Sequence, residues 1–245
     1  MPIELDVADG IAVVTLNAPE RRNALTPELS EELVAVLDQV DADRGVGVLV
    51  LRAEGKGFCS GADLSTLAAA GTNPLADEHY AGVGSIYAAF SRFGAMTVPT
   101  IAAVRGAAVG AGLNLALAAD LRIVAEDARL ISGFVRINVH PGGGHLHLLD
   151  RMVSRDTIAA MAVFGEEVSG ADAVRLGLAW RALPAAEVEA EAMQLAARVA
   201  DRPELARAVI RTLRLEVPGS VSWDAAVQLE RGPQLRSFFA RSGTP

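Results

Sequence analysis

Apolar and polar residues alternate over Ile3-Glu-Leu-Asp-Val7, the period of a strand with one face in a core. Asp9-Gly10 then turns the chain into Ile11-Ala-Val-Val-Thr-Leu16, so the two segments read as an opening hairpin. After Thr26, an N-cap followed by Pro27 at the first helical position, the period changes. Leu29, Leu33, Val36, Leu37 and Val40 make one apolar stripe at helical spacing, predicting a helix to about Ala42. The run Val46-Gly-Val-Leu-Val-Leu51 follows as a buried strand, and strand, helix, strand opens a parallel sheet. From Leu64 to Met96 the pattern weakens: Ala68 to Pro74 reads as a loop, Asp77 to Gly94 as a helix, and Val98-Pro99 as its stop. Thr100–Val104, Leu121–Ala125 and Ala128–Ile131 read as short strands, and Pro184 to Phe239 is helical in period, broken at Pro203 and Pro218-Gly219.

Two stretches break this alternation of strands and helices. Val104 to Asp120 holds three glycines and six alanines in seventeen positions, with a strand before it and a helix beginning near Ala111. Such small residues allow close approach to the backbone, and the strand-to-helix turn exposes N–H groups that attract a developing negative charge. Gly55-Lys-Gly-Phe-Cys-Ser-Gly-Ala-Asp-Leu64 likewise follows a strand and leads through glycine into a helix start. Two amides from two such turns can converge on one oxygen. Within them Cys59 is expected to pack beneath its turn and Asp63 to cap the following helix, while Asp120 ends the central helix with a structural hydrogen bond.

Together with Pro19-Glu-Arg-Arg-Asn-Ala-Leu25, the segments Phe58-Cys-Ser-Gly-Ala-Asp-Leu64 and Gly106 to Asp120 resemble the three signature segments of the crotonase superfamily, the enoyl-CoA hydratase/isomerase family. The resemblance runs from about Ile3 to about Glu230. It implies an α/β fold, a ClpP-like spiral of ββα units over residues 1–183, with a C-terminal helical region over 184–245 that serves trimerisation. It also implies an acyl-CoA thioester whose carbonyl oxygen lies in an oxyanion hole made by the backbone N–H groups of Ala62 and Ala111. Arg22, Ala24, Gly61, Ala62, Asp63 and Leu64 would hold the CoA side. Coenzyme A is then part of the substrate, no cofactor is permanently bound, and the assembly is a homotrimer or a hexamer. The chain departs from the family by stopping at Pro245 without the usual further segment, which puts the adenine-side contacts in question.

Composition narrows the picture further. At 245 residues with 51% hydrophobic and 21% charged positions the chain can bury a sizeable core. A net charge of −8 argues against nucleic acid as a partner. One cysteine excludes an intrachain disulfide, and the absence of a leader-like start or an apolar run of about 18 residues leads to the expectation of a cytoplasmic protein with no membrane partner.

The expected chemistry is incomplete. Hydration of an enoyl thioester needs one group to deprotonate water and one to protonate carbon, for which the resembling hydratases use two glutamates. Their positions here are Asn114 and Phe134, and no carboxylate occurs between Asp127 and Asp150. That loop carries three of the four histidines instead. His140, beside the Pro141-Gly142 turn, is the first candidate acid or base; His145, at a helix start whose dipole keeps it neutral, is the second; His147 is expected to pack. Their spacing matches no metal motif. The expectation is therefore an acyl-CoA enzyme that isomerises, hydrolyses or cleaves a carbon–carbon bond with a loop histidine. A catalytically silent acyl-CoA carrier, and a true hydratase with acids supplied from Asp77-Glu78, are the alternatives.

Overall fold

Asp9 and Gly10 take φ values of +51° and +77°, the left-handed geometry of a two-residue turn that matches the twist of an antiparallel ribbon. In the computed structural model, which describes residues 2–73, 76–216 and 222–242, this turn joins β1 (Ile3–Ala8) to β2 (Ile11–Leu16) in the expected hairpin. α1 (Pro27–Ala42) starts where Thr26 predicts: its side chain accepts the N–H of Leu29 at 3.2 Å, and Leu29, Leu33, Leu37 and Val40 are buried. It crosses to β3 (Val48–Ala53), parallel to β2.

Next come α2 (Leu64–Thr72) and α3 (Asp77–Gly94). Here the loop expected over Ala68 to Pro74 is corrected, because α2 runs through Ala68 to Thr72. Its alanines are strong helix formers, and the Asp63 carboxylate caps it by accepting the N–H groups of Ser65 and Thr66 at 3.0 and 3.2 Å. Pro74 lies outside the described residues.

The chain then winds. β4 (Thr100–Val104), β5 (Ala107–Val109) and α4 (Ala111–Leu117) make one turn; β6 (Leu121–Ala125), β7 (Arg129–Ile131), α5 (His145–Asp150) and α6 (Arg155–Ala162) make the next. β8 (Glu167–Ser169), α7 (Gly170–Leu176) and β9 (Arg181–Leu183) close the sheets. β1-β2-β3-β4-β6-β9 is the order of the larger sheet, parallel except for the opening hairpin, and β5-β7-β8 is the order of the smaller. An isolated bridge from Cys59 to Ala108 puts the chain after β3 on the same path. Each turn thus lays one strand in each sheet before a helix, which is the spiral of ββα units that the resemblance implies. The central helix is shorter than its sequence suggests, and Asp120 follows its end by three residues.

Beyond the sheets lie α8 (Val188–Ala197), α9 (Pro203–Glu216) and α10 (Trp223–Ser242). Pro203 opens α9, while Pro218-Gly219 lies outside the described residues. Two arginines fasten α9. Arg207, 2% exposed, donates to the carbonyls of Asp43 and Val46 at 2.8 and 3.3 Å and reaches the Asp41 carboxylate at 3.5 Å. Arg214 grips both oxygens of Asp120 at 2.7 and 3.1 Å, and Asp120 in turn accepts the N–H and hydroxyl of Thr100 at 2.8 Å. Among the described residues no helix is long and apolar enough to cross a membrane.

Candidate functional site

Two glycines let the signature turns meet. Gly61 has φ +96°, and a Cβ there would lie 2.6 Å from the carbonyl oxygen of Val109. At Gly112, in the first turn of α4, a Cβ would lie 2.3 Å from the carbonyl oxygen of Cys59. With no side chain at either position, backbone hydrogen bonds draw the three segments together. Ser60 N–H donates to Arg22 O at 3.0 Å, Leu25 N–H to Gly61 O at 2.8 Å, Asp63 N–H to Leu25 O at 2.9 Å and Val109 N–H to Cys59 O at 3.0 Å. This leaves the N–H groups of Ala62 and Ala111 with no hydrogen-bond partner among the described residues. Both alanines line a cavity of about 160 Å³. Two unspent donors on adjacent turns of one cavity are what an oxyanion needs.

Behind these turns the structure uses residues that the sequence reading passed over. Asn23 is fully buried; its Oδ1 accepts the N–H of Ala18 at 2.9 Å and its Nδ2 donates to the carbonyls of Glu54 and Gly57 at 2.9 and 3.2 Å. It fixes the segment that presents Arg22, which is exposed, and Ala24, which is buried. The Cys59 thiol donates to Asn23 O at 3.0 Å, and complete burial pushes its pKa up to about 12. It packs beneath the turn, as expected, and is no nucleophile. Asp63 caps α2 and lies 3.5 Å from the Arg21 guanidinium. Leu64, the first residue of α2, reaches the cavity wall, as do Gly61 and Ala62.

Among the described residues no carboxylate lines the cavity. Asn114 and Phe134 do line it. Asp77 is not part of the wall, and Glu78 borders a separate, more open hollow of about 370 Å³ beside Arg21, Asp63 and His79.

The three loop histidines separate. His140 is exposed at the cavity, with its Nδ1 2.7 Å from the Pro141 carbonyl oxygen. His147 is exposed, not packed, because it lies two residues from the face of α5 that buries His145 and Leu149. His145 is 1% exposed. Its Nδ1 lies 2.7 Å from Asn114 Oδ1, and its Nε2 lies 2.7 Å from the Ser132 hydroxyl, another residue of the cavity wall. The Asn114 Nδ2 donates to Gly142 O at 3.1 Å, so its Oδ1 is the atom that faces the imidazole. The donor pattern then assigns the tautomer: Nδ1–H donates to Asn114, and Nε2 accepts from Ser132. The Phe134 ring packs against the imidazole at 5.0 Å between centroids.

Burial lowers the His145 pKa from 6.5 to about 4. The cause is desolvation, which corrects the helix-dipole argument; α5 is only six residues long. The imidazole is neutral at pH 7, with its proton on Nδ1. This has a consequence for stability. A folded pKa below the unfolded one means that the unfolded chain takes up the proton first, so stability is complete above about 6.5 and is lost as the pH falls toward 4. The shift corresponds to an upper limit of about 3 kcal/mol. Urea unfolding midpoints should fall across this window, and His145→Gln should flatten that part of the profile. An unchanged slope in the variant would assign the acid sensitivity to other groups.

Comparison with known proteins shows the family. Residues 6–228 match the family model described as enoyl-CoA hydratase/isomerase. The chain is 40% identical over 241 residues to the probable enoyl-CoA hydratase EchA14 of Mycobacterium tuberculosis (strain H37Rv), an alignment covering 96% of this chain and 92% of the relative. It is 30% identical over 228 residues to the 1,2-epoxyphenylacetyl-CoA isomerase of Escherichia coli K12, covering 93% and 87%. The crystal structure of an enoyl-CoA hydratase from Polaromonas sp. JS666 superposes with a TM-score of 0.87 at 26% identity, covering 96% of this chain and 90% of that one.

Proposed function

We propose, from the premise that the chain belongs to the enoyl-CoA hydratase/isomerase family, that it acts on an acyl-CoA thioester by a reaction other than simple hydration, with His145 as its proton carrier. The thioester oxygen is held by the N–H groups of Ala62 and Ala111, each such donor being worth ~3–4 kcal/mol to an enolate or tetrahedral oxyanion. Coenzyme A enters as part of the substrate, along the segment from Arg22 to Ala24 and past Gly61, Asp63 and Leu64, and no resident cofactor takes part.

The observation that carries this reading is the neutral imidazole of His145, hydrogen-bonded to two residues of a cavity wall that has no carboxylate among the described residues. Asn114 cannot accept a proton and Phe134 has none to exchange. His145 can do both, and an anion forming in the cavity raises its basicity during the reaction. His140, at the exposed side, suits proton exchange with solvent. Isomerisation, hydrolysis and carbon–carbon cleavage all need only this oxyanion and one such base. A three-fold assembly through the C-terminal helices belongs to the same reading; Val209 and Leu213 of α9 are 57% and 46% exposed. The acidic charge and the single cysteine support a cytoplasmic site of action.

The test is a panel of saturated, 2-enoyl, 3-enoyl and 3-oxoacyl-CoA thioesters, with binding and product mass read together. The expected result is product from at least one class and little 3-hydroxyacyl-CoA from the 2-enoyl set. Binding throughout without any product would establish a carrier in place of an enzyme. Rapid 3-hydroxyacyl-CoA formation would establish a hydratase.

A further inference from the structure

Nothing in the sequence singles out Ser132, which ends the run Arg129-Leu-Ile131 before Gly133. The fold does. β7 carries it against the turn that holds Ala111, since Gly110 N–H donates to Ile131 O at 2.9 Å. Ser132 is 1% exposed and yet lines the cavity. From its hydroxyl, one directed chain of hydrogen bonds runs inward: Ser132 O–H to His145 Nε2, His145 Nδ1–H to Asn114 Oδ1, and Asn114 Nδ2–H to Gly142 O. The order is hydroxyl, base and orienting group, beside two unspent N–H donors. These are the parts, in the required sequence, of an activated serine with an oxyanion hole.

We propose that Ser132 is a nucleophile and that the protein hydrolyses an acyl-CoA thioester through an acyl-serine intermediate, with His145 as general base and Asn114 as a positioning residue. The inference rests on the cavity being an acyl-CoA site. In the first half-reaction Ser132 Oγ bonds to the thioester carbonyl carbon and its proton passes to His145 Nε2. The carbonyl electron pair moves to the oxygen held by Ala62 and Ala111. Collapse of that oxyanion breaks the C–S bond, and the imidazolium returns its proton to the departing thiolate, releasing the free thiol of coenzyme A. In the second half a water bonds to the ester carbon and gives its proton to Nε2; the C–Oγ bond breaks, Ser132 regains its proton, and a carboxylic acid leaves. The sum is thioester plus water to acid plus thiol, with no change of oxidation state.

Three features on the same wall suit this step. Asn114 fixes the tautomer that leaves Nε2 free to accept, which is the geometric role of the third member of such a set. Phe134 packs its ring against the imidazole, tilted by 59°. Burial keeps the imidazole unprotonated at neutral pH. An orienting amide adds no charge, so the imidazolium is balanced by the oxyanion alone, and the acid limb of the rate profile should lie well below that of an ordinary histidine.

The experiment is acid quenching of the protein with saturated acyl-CoA thioesters of increasing chain length, followed by intact-mass and peptide-mass analysis, with released thiol measured in parallel. The expected result is a rise in mass equal to the acyl group, located on Ser132, with thiol release running ahead of acid release. Ser132→Ala should abolish the adduct and lower thiol release about 10²-fold or more. Ser132→Cys should keep an acyl adduct and gain one site of alkylation by iodoacetamide, Cys59 being buried. Asn114→Asp should move the acid limb of the rate profile upward, a change that a merely structural role would not produce. Wild-type thiol release in Ser132→Ala overturns the proposal. If that variant also retains a His145-dependent isomerisation or carbon–carbon cleavage, the nucleophile falls while the acyl-CoA reading stands. If the wild-type protein neither binds nor converts any thioester, both fall together.

Discussion

His145→Gln is expected to reduce turnover of the accepted thioester by ~10²–10⁴, the usual loss when a general acid or base is removed. Affinity for the thioester should change no more than a few-fold. Glutamine keeps much of the volume and can still hydrogen-bond to Asn114 or Ser132, so the packing beside Phe134 survives while the imidazole that accepts a proton behind these two wall residues is gone. Binding is expected to persist because the thioester oxygen is held by backbone N–H groups, which the substitution leaves in place. The split between kcat and binding is the readout. A proportional loss of both would mean that His145 shapes the cavity without moving a proton, and full activity would transfer the chemistry to His140. In the wild-type protein the acid limb of kcat/KM should fall near the value of about 4 set by burial, not near 6.5.

Gly112→Ala is expected to damage stability and turnover together. In most helices this change is favourable by ~1 kcal/mol, since alanine has the better propensity. Here the new methyl would lie 2.3 Å from the Cys59 carbonyl oxygen, 2.7 Å from its Cβ and 2.8 Å from its sulfur. Two of these atoms belong to a buried side chain and one to backbone, so none can step aside cheaply. Overpacking of this kind costs ~1–3 kcal/mol, which outweighs the propensity gain. The only relief is for α4 to move off the Cys59–Ala62 turn, and that pulls the N–H of Ala111 away from the N–H of Ala62. Loss of one oxyanion donor typically lowers kcat ~10²–10³-fold. Urea unfolding and turnover of the same preparation measure both effects. A variant as stable and as active as the wild-type protein would show that the two turns do not have to touch.

The parts legible in the sequence were those encoded locally. Asp9-Gly10 specifies the hairpin and Thr26-Pro27 specifies the start of α1, because each signal is a backbone preference of one or two residues. The two glycine-containing turns were legible for the same reason. α2 was not: the segment from Ala68 to Pro74 reads as a loop, yet its row of alanines and the Asp63 cap carry the helix to Thr72. Among the histidines, position along the loop favoured His140, but which imidazole meets a partner depends on which face of α5 turns inward. The set formed by Ser132, His145 and Asn114 was illegible because its members come from three elements, and only the spiral brings the end of β7, the start of α5 and the middle of α4 together. No spacing rule within one element relates them.

The arginines of α9 bear on how separable the chain's last quarter is from the rest. Arg207 ties α9 to the end of α1 and Arg214 ties it to Asp120, three positions beyond the helix that carries Ala111 and Asn114. These are cross-links made of guanidinium groups, and each is also the counter-charge of an aspartate that the core has partly enclosed. A polypeptide ending before α9 would therefore leave the Asp120 carboxylate, which anchors Thr100 at the start of β4, without its arginine, while Asp41 would keep Arg92 at 2.8 Å. The helical tail is in this sense a keystone of the spiral, and a load applied to it from outside is carried to the segment that follows α4.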